Sequence, residues 1–187
     1  MEPRKLLEVL HTAERLKDAT RHCETSGGRR ESVAEHSWRM TLMAYLVSDE
    51  FPDADMAKVI KMCLIHDLGE AFTGDIPVFL KTAEDRARED ELLLEWTAEL
   101  PEPFASEMTA LYAEMEERRT LEARIYKAMD CLEAVIQHNE SDLSTWEPNE
   151  YALQRNYAWD RVGFSEYLLK LRQAVLEDTE KKIKQGK

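Results

Sequence analysis

Residues 120–139, TLEARIYKAMDCLEAVIQHN, decide how the chain folds. Ile125, Tyr126, Ala128, Met129, Cys131, Leu132, Ala134, Val135 and Ile136 make this segment apolar almost all round, and such a helix belongs at the centre of a bundle. Asp130 is its exception. A carboxylate in a fully buried helix costs several kcal/mol or more unless it is paired or bound to a metal. Lys127 lies three residues back and is expected to extend outward, so the partner of Asp130 is expected from elsewhere in the chain.

On either side of this helix the apolar residues keep helical spacing. Leu6, Leu7, Leu10, Ala13 and Leu16 predict a first helix over about residues 3–17. Thr20 to Arg30 is polar and contains glycine, which reads as a loop. Ser32 and Glu35 fit a capping box, and the helix they open carries Val33, His36, Met40, Met43, Ala44 and Val47 on one face. A third helix starts at Pro52-Asp53, turns Met56, Val59, Ile60 and Cys63 inward and stops near Gly69. Glu70–Pro77 reads as a second loop. Further helices are expected over Ala83–Leu100, from Pro103 to about Glu117, up to about Asp160, and from Ser165 to about Lys181. No stretch alternates long enough for a convincing strand. The expected architecture is all-α, a single domain over 1–187 with its core at about 30–140 and the terminal helices packed on it.

The 187 residues suffice for a self-sustaining core, since a chain of this size buries roughly 70% of its unfolded surface. Lys+Arg 25 against Asp+Glu 38 gives a net charge of −13, which argues against nucleic-acid polymers and against anionic membranes as partners. A small phosphorylated substrate remains compatible, because one metal ion or two arginines reverse the field locally. Cys23, Cys63 and Cys131 form no C-x-x-C pair, no segment has the apolar core of a signal peptide, and the longest apolar run is Leu42–Val47. These features lead to the expectation of a cytoplasmic protein. Trp38 and Trp96 read as core or dimer-contact residues, with a homodimer expected, and the charged runs Glu84–Glu91 and Glu114–Glu122 as solvated helix faces.

Among the chemistry-bearing residues, His36 lies on the apolar face of its helix, and His66-Asp67 ends the next one just before Gly69. With Asp130 they offer two imidazoles and two carboxylates. That donor set suits one divalent transition-metal ion (Mn, Fe, Co, Ni or Zn) better than Ca or Mg, which prefer oxygen throughout. Four protein donors on an octahedral ion leave two positions for water and a substrate oxygen, as metal-assisted hydrolysis requires.

His36, then His66-Asp67, then Asp130 resemble the H…HD…D signature of the HD-domain metal-dependent phosphohydrolases. The surrounding blocks, Glu-Ser-Val-Ala-Glu-His-Ser at His36, Ile-His-Asp-Leu-Gly-Glu at Glu70 and Thr-Gly-Asp-Ile-Pro at Asp75, are similar to the branch holding the 5′-deoxynucleotidases. The resemblance spans about residues 1–180. It implies that His36, His66, Asp67 and Asp130 hold the metal and that Glu70 and Asp75 are the catalytic acids. It also implies that Arg21 binds the substrate phosphate. The sequence departs from that branch beside Arg21, where Thr20 and His22 stand in place of Pro and Trp, and in Ser26–Arg30, which adds two cations. The implied activity is a phosphomonoesterase acting on nucleoside or deoxynucleoside 5′-monophosphates. The alternatives are an HD hydrolase of another phosphorylated nucleotide, such as an alarmone or cyclic dinucleotide, or a catalytically silent nucleotide- or metal-binding regulator.

Overall fold

The computed structural model describes residues 1–77 and 79–186. Its long segments are helical: α1 (Pro3–Glu14), α2 (Val33–Leu46), α3 (Met56–Ile65), α4 (Glu70–Thr73), α5 (Ala83–Ala98), α6 (Phe104–Glu117), α7 (Leu121–Glu140), α8 (Glu150–Asn156), α9 (Trp159–Val162) and α10 (Glu166–Gln185). Helix α7 is the axis, packing against α2, α3, α6, α9 and α10. Ile125, Ala128, Met129 and Leu132 are fully buried there, together with Met40 from α2, Val59 and Met62 from α3 and Leu168 from α10. Each such large apolar side chain contributes about 1.5–3 kcal/mol.

Local chemistry sets the helix starts. Ser32 and Glu35 form the expected capping box, and a second one, Thr82 with Asp85, opens α5. Asp55, Thr120 and Ser165 accept the first free N–H groups of α3, α7 and α10. Helix α3 therefore begins after Asp55 instead of at Pro52-Asp53. The expected loop at Glu70–Pro77 contains the single turn of α4, and the stretch before Asp160 divides into α8 and α9 at Ala158, which has a left-handed φ of 71°.

The all-α expectation holds with one local correction. Thr20–Arg30 is not a plain loop: β1 (Thr20–Glu24) and β2 (Arg30–Ser32) form an antiparallel hairpin pairing Thr20 with Ser32 and Glu24 with Arg30. Its turn closes through Thr25 N–H to Arg29 O at 2.7 Å and needs a positive φ of 75° at Gly28. The hairpin matters because it leads directly into α2 and lies along α7. Helix α1, by contrast, buries none of its residues, and Leu6, Leu7 and Leu10 of the expected apolar face are exposed. Among the described residues no helix is long and apolar enough to cross a membrane.

Candidate metal centre and phosphate pocket

The capping box starts α2 one turn before His36, which places that imidazole on the buried face, with no exposure at all. Its Nδ1 is hydrogen-bonded to Glu133 of α7. His66 follows the last residue of α3, where helix carbonyls lack partners, and its Nδ1 donates to Cys63 O at 2.9 Å. With both Nδ1 atoms engaged as donors, the two Nε2 lone pairs face each other at 3.2 Å. Asp67 Oδ2 lies 3.0 Å from His66 Nε2 and 3.8 Å from His36 Nε2. Asp130 Oδ1 lies 3.4 Å and 3.9 Å from the His36 and His66 Nε2 atoms.

This set demands positive charge at its centre. Burial and Arg21 push the His36 pKa down, yet hydrogen bonds to Asp130 and Glu133 outweigh them and lift it to about 9. Burial works to raise Asp130, but Lys127 and the histidines hold it well below the usual carboxylate range. A proton and a divalent cation answer the same electrostatic need. His36, His66 and Asp67 each bring a donor atom within 4.8 Å of the others, and two neutral imidazoles with carboxylates fit a borderline transition-metal ion.

Asp67 and Asp130 line a pocket of about 270 Å³ together with Arg21, Glu70, Asp75 and Lys81. Arg21, on β1, has its Nε 3.2 Å from Glu31 and one terminal nitrogen 3.7 Å from Asp67. Burial works against its charge, but Asp67 and its neighbours keep it protonated. Glu70 opens α4 one turn beyond His66, with Oε2 buried and free of any hydrogen-bond partner. Burial, Asp67, Asp75 and Glu89 push its pKa to about 10, against a smaller opposing pull from Lys81. Asp75 follows Gly74, whose φ of 74° turns the chain back over the site, and burial raises its pKa too.

Every expected site residue thus falls in one neighbourhood, but several surroundings differ from expectation. Lys127 does not turn away: it pairs with Asp130 Oδ2 and lines the pocket, so Asp130 finds partners both on its own helix and across the bundle. Arg29 pairs with Glu35 outside the pocket and Arg30 is exposed. Trp38 is 65% exposed and therefore no core residue, while Trp96 is half-buried against Phe72 with ring centroids 6.2 Å apart. Glu89 is no solvated face residue; it pairs with Lys81 at 2.6 Å. Lys81 in turn lies 3.9 Å from Glu70. Gly69 makes that approach of α5 possible, since a Cβ there would stand 2.8 Å from Glu89 Cγ.

Sequence reasoning missed Glu31, Glu133 and Lys81. For Glu133 a signal existed, because it lies one turn after Asp130 on the same face of an otherwise apolar helix. The far end of the pocket holds a second unread cluster, in which Glu150 lies 2.9 Å from His22 Nε2 and 3.6 Å from His138 Nε2.

A helical bundle that brings H, HD and D to one point defines a class, and the sequence agrees: the model of the HD domain matches residues 13–170, so this chain belongs to the HD domain family. It is 31% identical to the 5′-deoxynucleotidase HDDC2 of Dictyostelium discoideum over 160 residues, covering 81% of this chain and 84% of that protein. It is 32% identical to the human 5′-deoxynucleotidase HDDC2 over 114 residues, a match spanning 60% of this chain and only 55% of that protein's length. A solved structure from Magnetospirillum magnetotacticum MS-1, described as a predicted metal-dependent phosphohydrolase, superimposes with a TM-score of 0.80 at 27% identity, covering 95% of this chain and 94% of that one.

Proposed function

We propose that this protein is a metal-dependent phosphomonoesterase releasing phosphate from nucleoside 5′-monophosphates, deoxynucleotides among them. The observation that carries the reading is the pair of inward Nε2 atoms, 3.2 Å apart and flanked by Asp67 and Asp130, beside a pocket that Arg21, Glu70 and Asp75 also line. His36, His66, Asp67 and Asp130 are the residues that would hold the ion. A divalent transition metal bound there lowers the pKa of a water molecule and neutralises charge on a phosphoryl group.

The remaining steps belong to side chains. Arg21 binds the phosphate through its guanidinium fork, which matches two oxygens at once. Lys81, Arg86 and Lys127 line the same pocket opposite the acids Asp67, Glu70, Asp75, Asp130 and Glu150, so a divalent cation would be needed to turn the local field in favour of a small dianion. Glu70 presents a buried Oε2 free of any hydrogen-bond partner. Burial raises its pKa, and repulsion from Asp67 and Asp75 adds to the rise; a cation beside it would relieve that repulsion, and the carboxylate so formed would polarise the attacking water and accept its proton. Asp75, which lines the same pocket, gives its proton to the departing 5′ oxygen. General acid–base assistance of this kind is worth about 10²–10⁴-fold in rate. The names of the relatives support the nucleotide substrate, and the pocket supports a small one.

A cytoplasmic setting and a homodimer belong to the same reading, the latter supported by exposed Leu6, Leu7 and Leu10 on α1 and Trp38, Tyr45 and Leu46 on α2. The test is a phosphate-release screen over ribo- and deoxynucleotides, alarmones and cyclic dinucleotides, with the apoprotein and with Mn, Fe, Co, Ni or Zn restored singly. Metal-restored release from nucleoside monophosphates supports the proposal, whereas release confined to another nucleotide class, or none, overturns it.

A further inference from the structure

Two carboxylates lie behind the site, out of reach of the pocket. Glu31, the middle residue of β2, is 2% exposed, and Glu133 of α7 is fully buried. Each serves one residue of the site. Glu133 Oε2 is hydrogen-bonded to His36 Nδ1, and Glu31 Oε2 accepts from Cys23 Sγ and forms an ion pair with Arg21 Nε at 3.2 Å, without hydrogen-bond geometry. Glu31, His36 and Glu133 each bring a polar atom within 4.8 Å of the others, so the two acids are neighbours. Arg39 of α2 stands behind Glu133 with its Nε 3.6 Å from Oε1, and is itself held by Gln137 and Glu140, one and two turns further along α7.

Two like charges so close and so dry destabilise a fold, and apolar residues of the same size would serve packing better. A carboxylate on the far nitrogen of a metal-binding imidazole fixes its tautomer and ring plane and raises its basicity. A carboxylate on a guanidinium Nε leaves the terminal nitrogens free to aim at a ligand. We propose that Glu31 and Glu133 are positioning residues that form one buried brace, locking Arg21 and His36 in fixed relation across the junction of the hairpin, α2 and α7. The inference rests on the roles given to His36 and Arg21 under Proposed function and adds residues that touch neither ion nor substrate.

The two halves predict separable signatures. Titration of apoprotein with Co²⁺ should show Glu133→Ala binding about 10–100-fold more weakly than wild type, with Glu133→Gln, which keeps an acceptor for Nδ1–H, in between. Titration of the metal-loaded protein with inorganic phosphate should show Glu31→Gln binding about ten-fold more weakly while its Co²⁺ affinity stays within about two-fold. Should Glu133→Ala fail to fold, Glu133→Gln carries the metal half alone with the same direction of change. A merely structural role would lower thermal stability and leave both affinities of the folded protein unchanged, and that result overturns the brace. Neither titration uses a nucleotide, so an error in the assigned substrate would appear in the release screen and leave this test intact.

Discussion

Arg21 and Arg29 leave the same hairpin and meet opposite fates. Arg21 is inward-facing, 15% exposed and set between Glu31 and Asp67, whereas Arg29 is 62% exposed and pairs with Glu35. Residue type and charge are the same; desolvation differs. An exposed pair contributes little because water and salt screen it. A buried guanidinium held between carboxylates has its desolvation offset, and it is then ready to bind a further anion without rearrangement. The same division runs along α2, where Glu35 faces out to Arg29 and the next residue, His36, faces His66 in the candidate metal centre.

The comparison can be broken first at its buried end. His66→Ala or Asp130→Ala should abolish stoichiometric metal and reduce turnover to background, exceeding the about 10–100-fold loss typical of residues that only support a ligand. Elemental analysis and phosphate release check both. Chelation of wild type should lower Tm as well, by about 5–10 °C if the metal had been present at 100 times its Kd. Full metal occupancy in both variants would remove the assigned centre.

Glu70→Ala sharpens the division between holding the ion and using it. Turnover should fall by about 10²-fold or more while metal content stays that of wild type. Metal loss in that variant would make Glu70 a ligand. Arg21→Lys comes next: it keeps the charge and loses the fork, so KM for a nucleoside monophosphate should rise about ten-fold, with a larger rise in Arg21→Ala. Arg29→Ala marks the smallest effect, with steady-state constants within about two-fold of wild type. The contrast between the two arginines collapses if Arg29→Ala carries the KM defect and Arg21→Lys does not.

What could be read in advance follows from how far each signal reaches along the chain. The capping box at Ser32 and Glu35, the apolar girth of α7 and the spacing of His36, His66-Asp67 and Asp130 are local or periodic patterns, and the structure shows all three. The hairpin escaped because its strands span five and three residues, too short for alternation to stand out from a loop. Arg21 and Arg29 could not be told apart because their difference arises from the pairing of β1 with β2. Lys81 and Glu89 reach the site through the packing of α5 on α4, a contact with no trace in either segment alone. Lys127 was misjudged because helical spacing places it near Asp130 but does not say which way a long side chain turns.

The hydrogen atom that Gly69 carries in place of a side chain has a consequence for tuning. A methyl group there would overlap Glu89 Cγ, and the end of a flexible glutamate is free to swing aside. Glu89 would then release Lys81, whose ammonium already lies 3.9 Å from Glu70. With a negative neighbour withdrawn and a positive one drawn closer, Glu70 would loosen its hold on a proton. Gly69→Ala is therefore expected to act on the acidity of the next residue's side chain through Glu89 of α5 and Lys81 of the segment before it.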